Sequence, residues 1–136
     1  MPLSLTLCGL SCAPSGPKVV AVSGTVTRNG KPVPNLFLNF EPDHGRPSWA
    51  LADEQGRFTL EYDDRQKGAI TGTHTVWVLW RPRSPEEEMI DLGQRAGKVN
   101  KPADLPAITE KYGSREKSQL RVEITKPVTD LEIKLD

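Results

Sequence analysis

The chain has 136 residues, 18 basic and 18 acidic, for a formal net charge of zero. Its length fits one domain on the usual scale of about 100–200 residues per domain and suffices to bury a core without metal or disulfide staples. Balanced charge argues against a nucleic-acid partner and against a polybasic membrane-surface protein, and no run of roughly 18 apolar residues offers an ordinary transmembrane helix.

The first residues, Leu3-Ser4-Leu5-Thr6-Leu7-Cys8-Gly9-Leu10-Ser11-Cys12, are apolar and uncharged, and Ala13-Pro14-Ser15-Gly16-Pro17 follows as a small-residue linker. This is the anatomy of a secretory segment. It resembles a bacterial lipoprotein signal, in which a cysteine after a small residue is lipidated and becomes the new N-terminus. Ser11-Cys12 fits that pattern and makes Cys12 the expected lipidation site. Gly9 stands where an aliphatic residue is usual, and no Lys or Arg precedes the apolar run. A plain secretory signal and an apolar tail are the alternatives. The expected division is a signal segment over 1–12, a linker over 13–19 and a domain over 20–136. Both cysteines, Cys8 and Cys12, fall in the first segment, so neither a disulfide nor a cysteine metal site is expected within the domain.

From residue 20 onward the chain alternates apolar and polar residues, the signature of half-buried strands. The first predicted strand covers 20–28, with Val20, Val22, Gly24 and Val26 on one face. Asn29-Gly30 then supplies the positive φ angles of a tight hairpin. A second strand over 35–41 carries Leu36, Leu38 and Phe40 on one side, and a short third over 48–52 carries Trp49 and Leu51. Asp53-Glu54-Gln55-Gly56 is a turn, because Asp bonds its own backbone and Gly adopts αL. A fourth strand runs over 57–62. A fifth, over 73–81, is apolar on both faces, with Val76, Val78 and Trp80 opposite Trp77 and Leu79. Such a strand is central or covered.

The pattern stops over 82–118, a polar, proline-interrupted stretch in which Ser84-Pro85 opens at most a short helical turn through 86–92. A loop this long is usually functional or mobile. Leu120, Val122 and Ile124, then Leu131, Ile133 and Leu135, resume the alternation, and charged outward residues on the last strand discourage edge pairing. The expected fold is an all-β, antiparallel, Ig-like or transthyretin-like sandwich of about seven strands, with one long loop before the last two.

Gly24-Thr25-Val26, Asn29-Gly30-Lys31-Pro32-Val33-Pro34-Asn35, Phe40-Glu41-Pro42, Asp53-Glu54-Gln55-Gly56-Arg57-Phe58 and Gly72-Thr73-His74-Thr75-Val76 together resemble the carboxypeptidase regulatory-like domain. Ile108-Thr109-Glu110-Lys111-Tyr112-Gly113, followed by residues 118–124, is similar to small planctomycete-type lipoproteins built on that domain. The resemblance implies a transthyretin-like sandwich serving as a non-catalytic cell-envelope module, anchored to the membrane through lipid alone. Its motifs are turn and strand signals, so they speak to fold and little to function.

Chemistry is sparsely supplied. The two histidines, His44 and His74, lack a second histidine at metal-ligand spacing. Glu41, Asp43 and Asp53 fall near His44 if the hairpin folds back, giving a weak metal site at best, and a solvated loop is the simpler reading. No cofactor, catalytic residue or metal ligand is expected. Trp49, Trp77 and Phe37 are the candidate binding residues, since aromatic faces stack on sugar rings or proline segments. An envelope protein or a glycan is the expected partner. Trp80 reads as core, and the 82–118 segment is expected to cover Trp77, Leu79 and Phe37; left uncovered, those three form an apolar patch that needs explaining.

Overall fold

The computed structural model describes residues 18–136. The lipidation reading at Cys12 and the 1–12 signal segment lie outside the described residues. The elements in chain order are β1 (Val19–Val20), β2 (Val22–Arg28), β3 (Lys31–Pro32), β4 (Leu36–Pro42), β5 (Ser48–Leu51), β6 (Arg57–Thr59), β7 (Ala69–Ile70) and β8 (Gly72–Trp80), then α1 (Pro85–Asp91), α2 (Leu105–Tyr112), β9 (Arg121–Ile124) and β10 (Val128–Lys134). Seven strands of three or more residues fall where the alternation puts them, whereas β1, β3 and β7 are additional two-residue pairings.

Two sheets face each other. One has the order β5–β4–β8–β9 and is antiparallel throughout. The other has the order β10–β2–β3, with β6 also paired to β2. The all-β sandwich expected from the sequence is therefore present, but a purely antiparallel arrangement is not, because β10 runs parallel to β2. The reason is connectivity: β9 and β10 lie in different sheets, so their link crosses the sandwich and imposes no hairpin sense. Asn29 and Gly30, at φ 52° and 79°, make the tight β2–β3 turn that their dipeptide signals.

Leu36, Leu38 and Phe40 of β4, Val76 and Val78 of β8, and Leu60 and Val26 from the facing side are fully buried. Each large side chain of this kind contributes roughly 1.5–3 kcal/mol. At the β5 edge the sheets are stitched together: Trp49 N–H donates to the Glu61 carbonyl (3.1 Å) and Glu61 N–H to the Trp49 carbonyl (2.7 Å). That edge is thereby paired at Trp49.

The 82–118 segment holds more structure than expected. Helix α1 starts as the sequence signals: the Ser84 hydroxyl accepts from Glu87 N–H (3.0 Å), and the Glu87 carboxylate accepts from Arg83 N–H (2.8 Å). Helix α2 is a helix the strand-by-strand reading missed. It buries Ile108 and Tyr112 in the core, and the Tyr112 hydroxyl donates to the Asp136 backbone oxygen (2.8 Å). Arg83 donates to the Asn35 side-chain oxygen and to the Ala52 carbonyl (2.6 Å), tying the start of the segment to β4 and β5.

Gly24 fixes how closely β10 approaches β2. It pairs with Leu131 where the β10 register shifts, and a Cβ at Gly24 would lie 1.8 Å from the Leu131 carbonyl oxygen. Because that neighbour is backbone, the strand itself must move. Gly24→Ala is therefore expected to cost about 1–3 kcal/mol, the usual range for overpacking. Urea denaturation measures this, and an unchanged midpoint would contradict the close approach.

Candidate functional site

The alternation that buries Leu36, Leu38 and Phe40 turns Phe37, Asn39 and Glu41 to the outer face of the same sheet. Cross-strand register then assembles that face. Phe37 pairs with Leu51 on one side and Leu79 on the other, and Asn39 with Trp49 and Trp77. The Phe37 and Trp49 rings stack at 5.7 Å between centroids and 10° between planes. The Arg81 guanidinium lies 4.6 Å over the Phe37 ring. The Trp77 indole N–H donates to Glu41 Oε2 (2.5 Å), and Arg115 approaches the other oxygen of Glu41 at 3.6 Å.

Trp49 is 44% and Leu51 38% exposed, while Phe37, Trp77 and Leu79 are half-buried. The three aromatic residues singled out in the sequence thus share one face, with Asn39 between the two tryptophans. Phe37, Trp77 and Leu79, expected under cover, are thus not exposed, and Trp49 and Leu51 beside them are. The 82–118 segment sends Ile108 and Tyr112 to the core side, and its polar reach onto the outer face is the Arg115–Glu41 pair. Trp80, expected in the core, is half-buried: it packs against the core cluster while its indole donates to the Asn100 carbonyl (3.1 Å) and Lys101 Nζ lies 4.6 Å over its ring.

Asn39, Leu51 and Arg81 belong to this face but were not singled out as site residues. For Asn39 the available signal was its place between Leu38 and Phe40 on a strand whose inward positions are all apolar. Its side-chain nitrogen is buried without a hydrogen-bond partner, so a donor is held unpaired beneath the tryptophans. At the Trp49 end the face runs into a groove of about 360 Å³ lined by Trp49, Leu51, Asp53, Arg57, Phe58, Thr59 and Glu61.

The carboxylates around the His44 loop are used elsewhere. Glu41 holds Trp77 on the sheet face, and Asp53 closes the β5–β6 turn. His44 is exposed, and among the described residues no group of three or more His, Cys, Asp or Glu side chains is placed to hold a metal ion. His74 is a core residue: it is fully buried against Phe40 at 5.9 Å, with Nε2 2.8 Å from the Ile70 carbonyl oxygen. Because a carbonyl only accepts, that nitrogen carries the proton.

Asp53 titrates below the ordinary carboxylate range, chiefly because its Oδ1 accepts the Arg57 N–H, helped by the Gln55 N–H and the Arg57 side chain, while partial desolvation opposes. Asp63 is lowered in the same way by the backbone N–H groups of Arg65 and Gln66. Both shifts belong to turn aspartates and follow from turn geometry. A depressed folded pKa contributes stability that is present above the unfolded value of about 3.9 and is lost as pH falls through the folded value. Asp53→Asn keeps an oxygen for both N–H groups but removes the charge. It should be less stable than wild type at pH 7, with the difference closing as pH falls through the folded value of Asp53. Thermal melts across pH check this, and a gap that persists in acid would assign the effect to packing.

Compared with known proteins, the chain matches no family model, no curated sequence and no solved structure.

Proposed function

We propose that this chain is a non-catalytic, cell-envelope binding module of carboxypeptidase regulatory-like type, held to the membrane by a lipid on Cys12, and that it docks its partner on the outer face of the β5–β4–β8–β9 sheet. One observation carries the binding part. Phe37, Trp49, Leu51, Trp77 and Leu79 lie together on one sheet face, with Trp49 and Leu51 exposed and the other three half-buried, while helix α2 of the longest connecting segment sends Ile108 and Tyr112 into the core. Contiguous apolar surface of this kind, rimmed by Arg81, Glu41 and Arg115, marks interaction sites. The turn motifs support the family reading, since Asn29-Gly30 and Asp53-Glu54-Gln55-Gly56 form the turns that the resemblance requires. The envelope address rests on Ser11-Cys12 and its apolar lead. Among the described residues no helix is long and apolar enough to cross a membrane, and a lipid anchor needs none.

A photo-crosslinking amino acid at Leu51, on the face, and at Asp130, exposed on β10, tests the surface in the native host. Adducts at position 51 and none at position 130 are expected; equal labelling at both, or none at 51, rejects the face. The anchor is tested by intact mass after detergent partitioning. A chain beginning at Cys12 with acyl mass in the detergent phase is expected, and an unmodified chain in the aqueous phase rejects it.

A further inference from the structure

We infer that the ligand of this face is a neutral oligosaccharide, bound with one sugar ring on Trp49 and its hydroxyl groups in the adjoining groove of Asp53, Arg57, Thr59 and Glu61. The inference rests on the binding-face reading and gives it a ligand class.

Three observations carry it. The first is the platform. Trp49 is the most exposed ring on the face, yet it is held by its parallel stack on Phe37 and by two backbone hydrogen bonds to Glu61. A ring fixed in this way presents a flat apolar surface at little entropic cost, as the C–H face of a pyranose requires.

The second is the composition of the groove beside it. Its volume of about 360 Å³ suits a small ligand, since such sites run from roughly 300 to 1,000 Å³. Its charged groups are paired with their neighbours. Asp53 pairs with Arg57 at 3.3 Å, Arg57 also donates to the Gln55 side chain at 3.3 Å, and Glu61 pairs with Lys67 at 3.0 Å. Carboxylates and guanidinium groups accept from and donate to vicinal hydroxyls in pairs. Asp53, Arg57 and Glu61 give the groove lining one net negative charge, and Lys67, outside the lining, pairs with Glu61, so the groove offers hydrogen bonds with no positive excess to select an anionic sugar.

The third removes the main competitor. An extended peptide joins a sheet through free backbone groups of an edge strand. At Trp49 both the N–H and the carbonyl of β5 are already bonded to Glu61, so no peptide can add to the edge at the platform itself.

The probes are cellohexaose, xylohexaose, mannohexaose, maltohexaose and chitohexaose, with oligogalacturonate as the charged control, titrated into the 18–136 domain and the full chain. Binding is read from tryptophan fluorescence and from shifts of the Trp49 indole and Thr59 amide signals. At least one neutral hexamer is expected to bind and to shift both signals. Trp49→Ala should weaken it by about tenfold or more, as for an aromatic anchor, while Trp49→Tyr retains most of it. Glu61→Gln keeps the groove's shape and changes its acceptors, so its effect reports on the polar half of the site even if Trp49→Ala disturbs the stack. Binding of none of the neutral hexamers, preference for oligogalacturonate, or shifts confined to residues away from Trp49 overturns the inference. If the sugars fail while position 51 still crosslinks to a protein, the glycan assignment falls and the binding face stands; if crosslinking fails too, both fall.

Discussion

The structure depends on the register of β4. Its inward residues, Leu36, Leu38 and Phe40, are fully buried, and its outward residues, Phe37, Asn39 and Glu41, build the candidate site. Strand periodicity is two, so slipping β4 by one residue against β8 would bury an amide and a carboxylate and expose two leucines and a phenylalanine. Losing three such side chains from the core forfeits several kcal/mol by area alone, while net stability of a domain is only about 5–15 kcal/mol. The core therefore enforces the register, and the register places Asn39 between Trp49 and Trp77. The site is a by-product of the constraint that makes the sandwich fold, and it needs no loop to be held in place.

A face built on paired strands is preorganised. Phe37, Trp49 and Trp77 sit on three adjacent strands whose backbones are fixed by ladder hydrogen bonds, so the rings keep their spacing without a ligand. The Trp77 indole is oriented by Glu41, and Glu41 in turn by Arg115, which is how a half-buried polar tip is normally satisfied. Asn39 is the exception. An unpaired buried donor costs roughly 1–3 kcal/mol, and the structure tolerates it at the middle of the aromatic face.

Much of this architecture was legible because its signals are local. Asn29-Gly30 demands a turn that few other dipeptides make, the Asp53 side chain closes its own turn, and alternation assigns inward and outward residues strand by strand. Pairing across the sandwich was not legible. The parallel sense of β10 is set by which strand it lands beside, and Gly24, with a φ that any residue adopts, reveals its purpose only when Leu131 is found against it. Helix α2 escaped for a different reason. Leu105, Ile108 and Tyr112 do recur at helical spacing, but over eight residues, with Pro106 at the start and Gly113 at the end, that spacing competes poorly with the turn signals around it. Without the helix, Ile108 and Tyr112 have no assigned place in the core, and the whole segment is left to be laid over Trp77.

The placement of α2 decides what the outer face can be. The two sheets are stitched by the Trp49–Glu61 bridges at the β5 edge and by the β1–β7 pairing that leads into β2 and β8, and β9 connects to β10 by a link that crosses the sandwich. Ile108 and Tyr112 enter the core, and Ser118 fastens the end of the segment by donating to the Val76 carbonyl (2.5 Å). Arg83 fastens its beginning through Asn35 and Ala52, and Asn100 is held between by Trp80 and Asn35. With its start, middle and end all bound in this way, the segment cannot swing across the sheet to reach Phe37 and Trp49 without breaking these hydrogen bonds and withdrawing two core side chains. Trp49 and Leu51 stay exposed because the apolar side chains that the segment could lay over them, Ile108 and Tyr112, are already in the core.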